Sequence, residues 1–311
     1  MINRKAVYFP GWTKKVITFT NDDGNLRLDE KFINVVKPHG ILGTFNLTAK
    51  NLKGRSDAEC RELYRGYEVA NHTMTHPFLL PEEQRGNITD EPFDKETADP
   101  TKTYRVSGEE GRYYIPTRSG FRVAADLDAY KRDVDEGQAE IERVFGEGSS
   151  KSFIWPYCEQ KNEELFDYIK SRGYYGIRTV GTLKDSTSFN LPSDRNRWSY
   201  NATHADLMEV AQTFESYPDD GELKMFCFGL HSHDYENENK WELLEKFSQR
   251  YGGRTSEFWY ASVGDIFAYE DAVNMLEELD GKIINNSDLP IYLIINGAKL
   301  VLNPGEACLA K

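Results

Sequence analysis

Short apolar segments alternate with amphipathic helical patterns along most of this 311-residue chain. Val16–Thr20 is rich in β-branched and aromatic residues, and Leu28, Phe32 and Val36 follow it at helical spacing. The alternation recurs about seven times, and such strands are buried in a parallel sheet, open or closed into a barrel, with helices outside. The sequence therefore predicts an α/β protein.

The remaining predicted strands share the same apolar, β-branched or aromatic character. They are Ile41–Leu47, Tyr67–Ala70, Phe153–Tyr157, Tyr174–Arg178, Lys224–Leu230 and Phe258–Ala261. Helix signals separate them: Ser56 and Glu59 form a capping-box pattern, and a long amphipathic helix is predicted from Leu127 to Phe145.

Between about residues 81 and 125 the alternation stops. This stretch is polar and rich in Gly, Pro and Thr, and Thr103–Val106 and Arg112–Ile115 could pair as a hairpin. We interpret it as an insertion that leaves the third strand, too short and too polar to hold a core of its own. Because it begins just after a candidate metal motif, we expect it to lie beside the functional site.

The last part of the chain has a different pattern. Ile291–Ile295 and Ala298–Leu302 are joined by Asn296-Gly297, which is a strong signal for a hairpin with a type I′ turn. We therefore predict a barrel over residues 1–277, with the insertion at about 81–125, and a small β appendage over residues 278–311.

Charge and hydropathy exclude several classes of protein. The formal net charge is −13, which repels nucleic acid and anionic membranes. An uninterrupted apolar run of about 18 residues, as a membrane span needs, is absent from the sequence. The first residues lack the apolar stretch of a secretory signal, so the cytoplasm is the default expectation, and a secreted form trimmed of its signal is the alternative. Oligomeric state is not indicated by any pattern.

Polar side chains capable of chemistry follow four of the predicted strands. The carboxyl ends of parallel strands meet at one edge of a sheet, where the functional groups of such proteins lie. The segments at these ends are Asn21–Gly24, Asn71–Pro77, Pro156–Cys158 and His231–Asp234. Each of these segments by itself is more often a solvent-exposed turn or a surface loop without function. Only their combination indicates a functional site.

Asp23, His72 and His76 together form a plausible set of metal ligands. Two imidazoles and one carboxylate leave coordination positions open, which suits a catalytic zinc, iron, cobalt or nickel ion. Asp22 lies beside a ligand and can accept a proton from water, while a histidine on another strand can protonate a leaving group.

Thr18–Gly24 and Asn71–Pro77 resemble the first two motifs of the polysaccharide deacetylase family, the NodB-homology group or carbohydrate esterase family 4. Phe153–Tyr157 is similar to the third motif, and Gly229-Leu230-His231 is similar to the last. The resemblance covers roughly residues 15–275. It implies a distorted (β/α) barrel and metal-dependent hydrolysis of acetyl groups on sugars.

The resemblance also implies a role for each matched residue. Asp22 would be the general base, and Asp23, His72 and His76 would bind one divalent metal ion, with zinc first and cobalt, nickel or iron as alternatives. The backbone N–H of Tyr157 would stabilise the oxyanion, and His231 would be the general acid. The substrate would be an acetylated saccharide.

The sequence departs from the family pattern near the substrate. Ile154 stands where the third motif usually has an arginine that orients the base, and Arg178 is the candidate replacement. The fourth motif, with its Asp and Trp, is not clearly present, and Arg195–Trp198 is the nearest stretch. We expect Trp198, as a sugar-stacking ring, and His233 to contact substrate.

Two other functions remain open. A non-catalytic carbohydrate-binding barrel would fit the missing arginine, although it would have no need of both Asp22 and His231. A hydrolase of small or cyclic amides on the same scaffold would use the same edge of the barrel.

Overall fold

The structure, a computed structural model, describes residues 3–118, 120–158, 162–182 and 188–310. Its centre is a parallel sheet that curves into a distorted (β/α) barrel, as the sequence predicts. The eight strands of this sheet are Lys15–Asp22, Thr44–Leu47, Glu68–Asn71, Ser152–Ile154, Gly176–Thr182, Trp198–Tyr200, Lys224–His231 and Phe258–Tyr260. The strand Lys15–Asp22 lies between Thr44–Leu47 and Lys224–His231, and Phe258–Tyr260 pairs with its first residues.

The strand Trp198–Tyr200 is absent from the prediction, because three residues with polar neighbours give no clear alternation. It pairs with Gly176–Thr182 at one end of the sheet. Just beyond it, the backbone N–H groups of Asn201 and Gly229 donate to the carbonyls of Cys227 and Ala202, at 2.7 and 2.8 Å. These bonds join the two ends of the sheet and complete the barrel.

Helices cover the outside of the barrel. They are Leu26–Val36, Asp57–Leu63, Leu127–Phe145, Glu163–Lys170, Leu207–Ser216, Ser232–Asn237, Trp241–Tyr251 and Val263–Asn274, and a short helix, Glu82–Arg85, lies in the insertion. The capping box predicted at Ser56 is confirmed, with both of its hydrogen bonds present. Ile17 and Phe19 pack with the helix residue Phe32 in the main apolar cluster, so alternation turns Asp22 to the opposite side, toward the barrel interior. None of the helices in the described residues combines the length and hydropathy needed to cross a bilayer.

The insertion is more ordered than its composition suggests. Its predicted hairpin is confirmed, with Tyr104 opposite Tyr114. The hairpin belongs to a five-stranded sheet formed by Phe78–Leu79, Ile88–Thr89, Thr103–Arg105, Arg112–Thr117 and Gly120–Ala125. Contrary to the expectation from its polarity, Leu80, Tyr113 and Ala124 are buried together and form a small apolar cluster.

The predicted C-terminal hairpin Ile291–Ile295 and Ala298–Leu302 is present, and Asn296 and Gly297 both have positive φ, as a type I′ turn requires. Val7–Tyr8 from the start of the chain extends it to three strands. A second three-stranded sheet contains Leu276–Leu279, Lys282–Asn285 and Ala307–Leu309. The boundary predicted after residue 277 falls inside the first of these strands, and the division into two parts stays a prediction.

Candidate functional site

The barrel brings the predicted site residues together at the carboxyl ends of its strands. Asp22 is the last residue of one strand and His231 the last of its neighbour, and the two are directly paired in register. His72 and His76 follow the strand Glu68–Asn71, two positions away across the sheet. Parallel pairing thus gathers residues that are more than 200 positions apart in sequence, such as Asp22 and His231, at one edge.

Asp23, His72 and His76 converge on one point. Asp23 Oδ1 lies 3.5 Å from Nε2 of His72 and 3.5 Å from Nε2 of His76. These separations are too long for good hydrogen bonds, and Asp23 Oδ1 is buried without a hydrogen-bond partner. Ligand atoms about 2.0–2.1 Å from a tetrahedral zinc ion lie about 3.3 Å apart, so the three side chains fit such an ion.

The protonation states of these groups suit a cation. Burial, with the neighbouring His72, lowers the pKa of His76 to about 3, so its imidazole is neutral at pH 7. Burial alone would raise the pKa of Asp23, but His72 and His76 hold it below its ordinary value. Nδ1 of His72 lies 2.9 Å from the carbonyl oxygen of Ile154, and a proton on Nδ1 leaves Nε2 as the ligand atom.

The loop that carries the two histidines has an unusual backbone. Thr73 and His76 have φ of 65° and 58°, values that non-glycine residues rarely adopt. Asp133 on the helix Leu127–Phe145 holds this loop in place. Its carboxylate accepts hydrogen bonds from the backbone N–H and the hydroxyl of Thr75, at 2.8 and 2.7 Å. Asp133 is fully buried and forms an ion pair with Arg112 of the insertion at 2.9 Å. Asp133 was not among the predicted residues, although a carboxylate on the apolar face of a predicted helix could have indicated its role.

Asp22 is held by two donors. Arg178 Nη2 lies 2.5 Å from both of its carboxylate oxygens, and Asn46 Nδ2 lies 2.6 Å from Oδ1. Burial alone would raise the pKa of Asp22, but the guanidinium of Arg178 lowers it below its ordinary value, so Asp22 stays ionised. Arg178 sits directly opposite Ile154 on the neighbouring strand and reaches the base from there. Asn46 was not among the predicted residues.

His231 lies on the other side of Asp22 from the histidine loop. Its Nδ1 is 3.0 Å from Asp234 Oδ2. Burial alone would lower the pKa of His231, but this hydrogen bond and the charges of Asp22 and Asp23 raise it to about 9. His231 is therefore protonated at neutral pH, as a general acid must be.

His233 also reaches the site. Its ring stacks on that of His231 with centroids 4.7 Å apart, and its Nδ1 lies 4.0 Å from Asp23 Oδ2. An open cleft of about 540 Å³ begins at Asp23 and His233 and continues past Arg27 and Asn51. A saccharide placed in this cleft would contact His233.

Tyr157 packs beside the histidine loop. It has a φ of 54°, and its ring packs against that of His76 with centroids 4.5 Å apart. Arg122 of the insertion lies over the Tyr157 ring, 5.2 Å from its centroid. The insertion is therefore beside the site, as expected from the point at which it leaves the barrel.

The expectation for Trp198 is wrong. The side chain belongs to the unpredicted strand, is 2% exposed, and meets the ring of Phe267 edge-on at 5.5 Å. A ring packed in the core has no free face for a sugar, so Trp198 supports the barrel and does not contact substrate.

Comparison with known proteins finds relatives of this chain. A family model described as polysaccharide deacetylase matches residues 11–177. A peptidoglycan-N-acetylglucosamine deacetylase of Bacillus cereus is 37% identical over 70 residues, 22% of this chain and 26% of the relative. A 30.6 kDa protein of Geobacillus stearothermophilus is 30% identical over 125 residues, 39% of this chain and 45% of the relative. The chain thus matches less than half the length of these curated relatives.

A solved structure from Mycobacterium smegmatis, assigned to the polysaccharide deacetylases, has the same fold. It superposes with a TM-score of 0.52 at 13% identity, covering 88% of this chain and 96% of that one. The family model spans more than half of the chain and includes the segments that carry Asp22, Asp23, His72 and His76. The chain therefore belongs to the polysaccharide deacetylase family.

Proposed function

We propose that the protein is a metal-dependent hydrolase that removes acetyl groups from a saccharide. Asp23, His72 and His76 would hold one divalent ion, with zinc as the first choice. The observation that carries the proposal is the buried Asp23 Oδ1, which has no hydrogen-bond partner and faces the Nε2 atoms of both histidines at 3.5 Å. The ionised Asp22 lies beside this group, and the protonated His231 is paired with Asp22 across the sheet.

Each remaining group has a defined task in this reaction. An ion bound there would act as a Lewis acid on the acetyl carbonyl and make water more acidic. Asp22, kept ionised by Arg178, accepts a proton from the attacking water. The backbone N–H of Tyr157 donates to the oxyanion, and His231 gives its proton to the leaving amine or alkoxide.

The proposed substrate is an acetylated saccharide. The Bacillus cereus relative is named for action on N-acetylglucosamine in peptidoglycan, which favours an N-acetyl sugar here. The cleft beside Asp23 and His233 is open, so it can admit a chain that extends beyond one sugar.

Two alternatives require different observations. A non-catalytic carbohydrate-binding barrel has no need of the ion pair between Asp22 and Arg178 or of the bond between His231 and Asp234. A hydrolase of small or cyclic amides would use the same residues on a different substrate.

The direct experiment measures acetate released from N-acetylated and O-acetylated oligosaccharides, with hydantoin-type rings as competing substrates. Acetate release that is abolished by a chelator and restored by zinc supports the proposal. Binding of the oligosaccharides without acetate release would favour the non-catalytic barrel, and hydrolysis of the rings alone would favour the amide hydrolase.

Replacing Asp234 by asparagine is expected to shift the pH profile. The protonated form of His231 is the active acid, so kcat/KM falls as pH rises through its pKa of about 9. Asp234→Asn removes a charge that raises this pKa, so the alkaline limb should move down by at least about one pH unit. Glu238→Gln is the matched control, because Glu238 bonds to His204 at 3.0 Å instead. If the alkaline limb of the kcat/KM profile does not shift in Asp234→Asn, Asp234 does not raise the pKa of the general acid.

Arg122→Ala is expected to weaken substrate binding more than turnover. Arg122 packs on Tyr157, whose ring contacts that of His76, and can donate to sugar hydroxyls. Its loss should raise KM about threefold to tenfold, with kcat and zinc content nearly unchanged. Arg105→Ala serves as control, since Arg105 of the same insertion pairs with Asp90 and packs on Tyr113. Equal effects of the two variants on KM would contradict a role for the insertion in substrate access.

A further inference from the structure

The two halves of the candidate site come from two neighbouring strand ends. One end carries Asp22 and Asp23, and the other carries His231 and His233. Strand pairing fixes their separation only as far as the last pair, Asp22 with His231. Beyond it the first chain turns away with a φ of 76° at Asp23, and the second enters a short helix at Ser232. A further link is needed to hold the residues beyond the pair in place.

Asp29 provides such a link from the helix side of the sheet. It lies in the first turn of the helix Leu26–Val36 and is fully buried. Its Oδ1 accepts hydrogen bonds from Asn21 Nδ2 at 2.8 Å and from Ser232 Oγ at 2.7 Å. Its Oδ2 accepts one from the hydroxyl of Tyr64 at 2.7 Å.

The two strand-end partners of Asp29 are placed next to the chemistry. Asn21 directly precedes Asp22, and Ser232 lies between His231 and His233. One carboxylate oxygen therefore contacts both strand ends, within one residue of the proposed base and of the proposed acid. A carboxylate suits this position because it can accept all three hydrogen bonds, whereas an amide offers one accepting oxygen.

Burying the Asp29 carboxylate costs desolvation free energy, and close packing of the core does not need a charged group here. Desolvation raises the pKa of Asp29 to about 6, despite the hydrogen bonds from Ser232, Tyr64 and Asn21. An apolar residue would fill the same space without this cost, and it would leave Asn21 and Ser232 without the shared acceptor. The buried carboxylate therefore indicates a role in positioning the segments that donate to it.

We propose that Asp29 is a positioning residue, which holds the Asn21–Asp23 turn and the His231–His233 segment in the relative placement that catalysis needs. The hydrogen-bond partners of the Asp29 carboxylate are Asn21, Tyr64 and Ser232, which are not proposed ligands, base or acid, and Asp29 acts through Asn21 and Ser232. The inference rests on the proposed deacetylase function for its kinetic readout, but its structural readout is independent of activity.

The chain offers a matched control at the opposite end of the barrel. Glu68, at the start of its strand, is also a buried carboxylate with three donors: the hydroxyls of Thr44 and Ser152, at 2.7 and 2.8 Å, and the N–H of Gly264 at 2.8 Å. Burial raises its pKa as well. Glu68→Gln therefore imposes the same kind of change on the core as Asp29→Asn, but far from the candidate site.

The test compares Asp29→Asn, Glu68→Gln and the parent protein at a temperature at which all three are folded. Asp29→Asn should lower kcat at least about tenfold and change KM less than about twofold, because a small displacement of base against acid impairs the chemical step more than binding. Glu68→Gln should leave kcat within about twofold of the parent. Equal losses of kcat in the two variants, or none in Asp29→Asn, would overturn the proposal.

Hydrogen–deuterium exchange supplies the readout that needs no activity. Asp29→Asn should speed exchange in both segments 21–25 and 231–235, and Glu68→Gln in neither. Unchanged exchange in either segment of Asp29→Asn overturns the proposal, even if kcat falls. If the parent protein releases no acetate, the proposed function fails, and the exchange data alone decide whether Asp29 links the two strand ends.

A double-mutant cycle tests whether Asp29 and Ser232 act through one contact. Ser232→Ala should also lower kcat, because it removes the hydrogen bond to Asp29 Oδ1. The double variant should be no slower than Asp29→Asn alone within about twofold, since both changes break the same link. Losses of kcat that multiply would contradict the shared contact.

Discussion

Asp22→Asn is expected to keep the metal ion and to lose most of the turnover. The amide is close in size to the carboxylate but cannot take a proton from water at neutral pH, and loss of a general base costs about 10² to 10⁴ in rate. Asp22 is not one of the three proposed ligands, so the zinc content of the variant should equal that of the parent. The measurements are kcat for acetate release and metal content on the same preparation.

Two outcomes would contradict this assignment. Near-normal activity in Asp22→Asn would remove the residue from the mechanism. Loss of the metal ion in the variant would mean that Asp22 binds the ion or positions one of its ligands, and that another residue is the general base. Asp265→Asn is a suitable control, because Asp265 pairs with Lys151 on the surface, at an exposed position away from the site residues.

His231→Ala is expected to reduce amide hydrolysis by about 10² or more, with a smaller loss on activated esters, whose leaving groups need no proton. The structure gives a physical reason to prefer His231 over His233 as the acid. His231 is in register with Asp22 and is bonded to Asp234, which raises its pKa to about 9. His233 lies two residues further along, in the short helix that begins at Ser232, and its Nδ1 is 4.0 Å from Asp23 Oδ2.

The matched variant for this experiment is His233→Ala. It should weaken substrate binding and leave the ratio of amide to ester hydrolysis close to that of the parent. If His233→Ala selectively loses amide hydrolysis and His231→Ala does not, the two assignments are reversed.

The barrel and the grouping of the site were predictable because they depend on periodicity and on strand ends. The β-branched and aromatic run Val16–Thr20 predicted the strand that spans Lys15–Asp22. The rule that strand ends meet at one edge predicted that Asp23, His72 and His76 lie together. Arg178 could be proposed because it stands at the end of a neighbouring predicted strand, and it does contact Asp22.

Other features were not predictable, since they depend on contacts between distant parts of the chain. The strand Trp198–Tyr200 is too short to show a period, and for that reason Trp198 was expected to contact substrate although it is buried. Asn46 and Asp29 lie in a predicted strand and a predicted helix, where their side chains look like ordinary polar substitutions. Only the folded structure shows that they bond to Asp22 and to Ser232.

Metal occupancy and acetate release, measured together on one zinc titration of the metal-free protein, test the central claim most directly. We expect acetate release from acetylated oligosaccharides to rise in proportion to bound zinc and to saturate at about one ion per chain. His72→Ala should bind no stoichiometric zinc and stay inactive at the same zinc concentrations. Full activity of the metal-free protein, or stoichiometric zinc that persists in His72→Ala, would contradict the account.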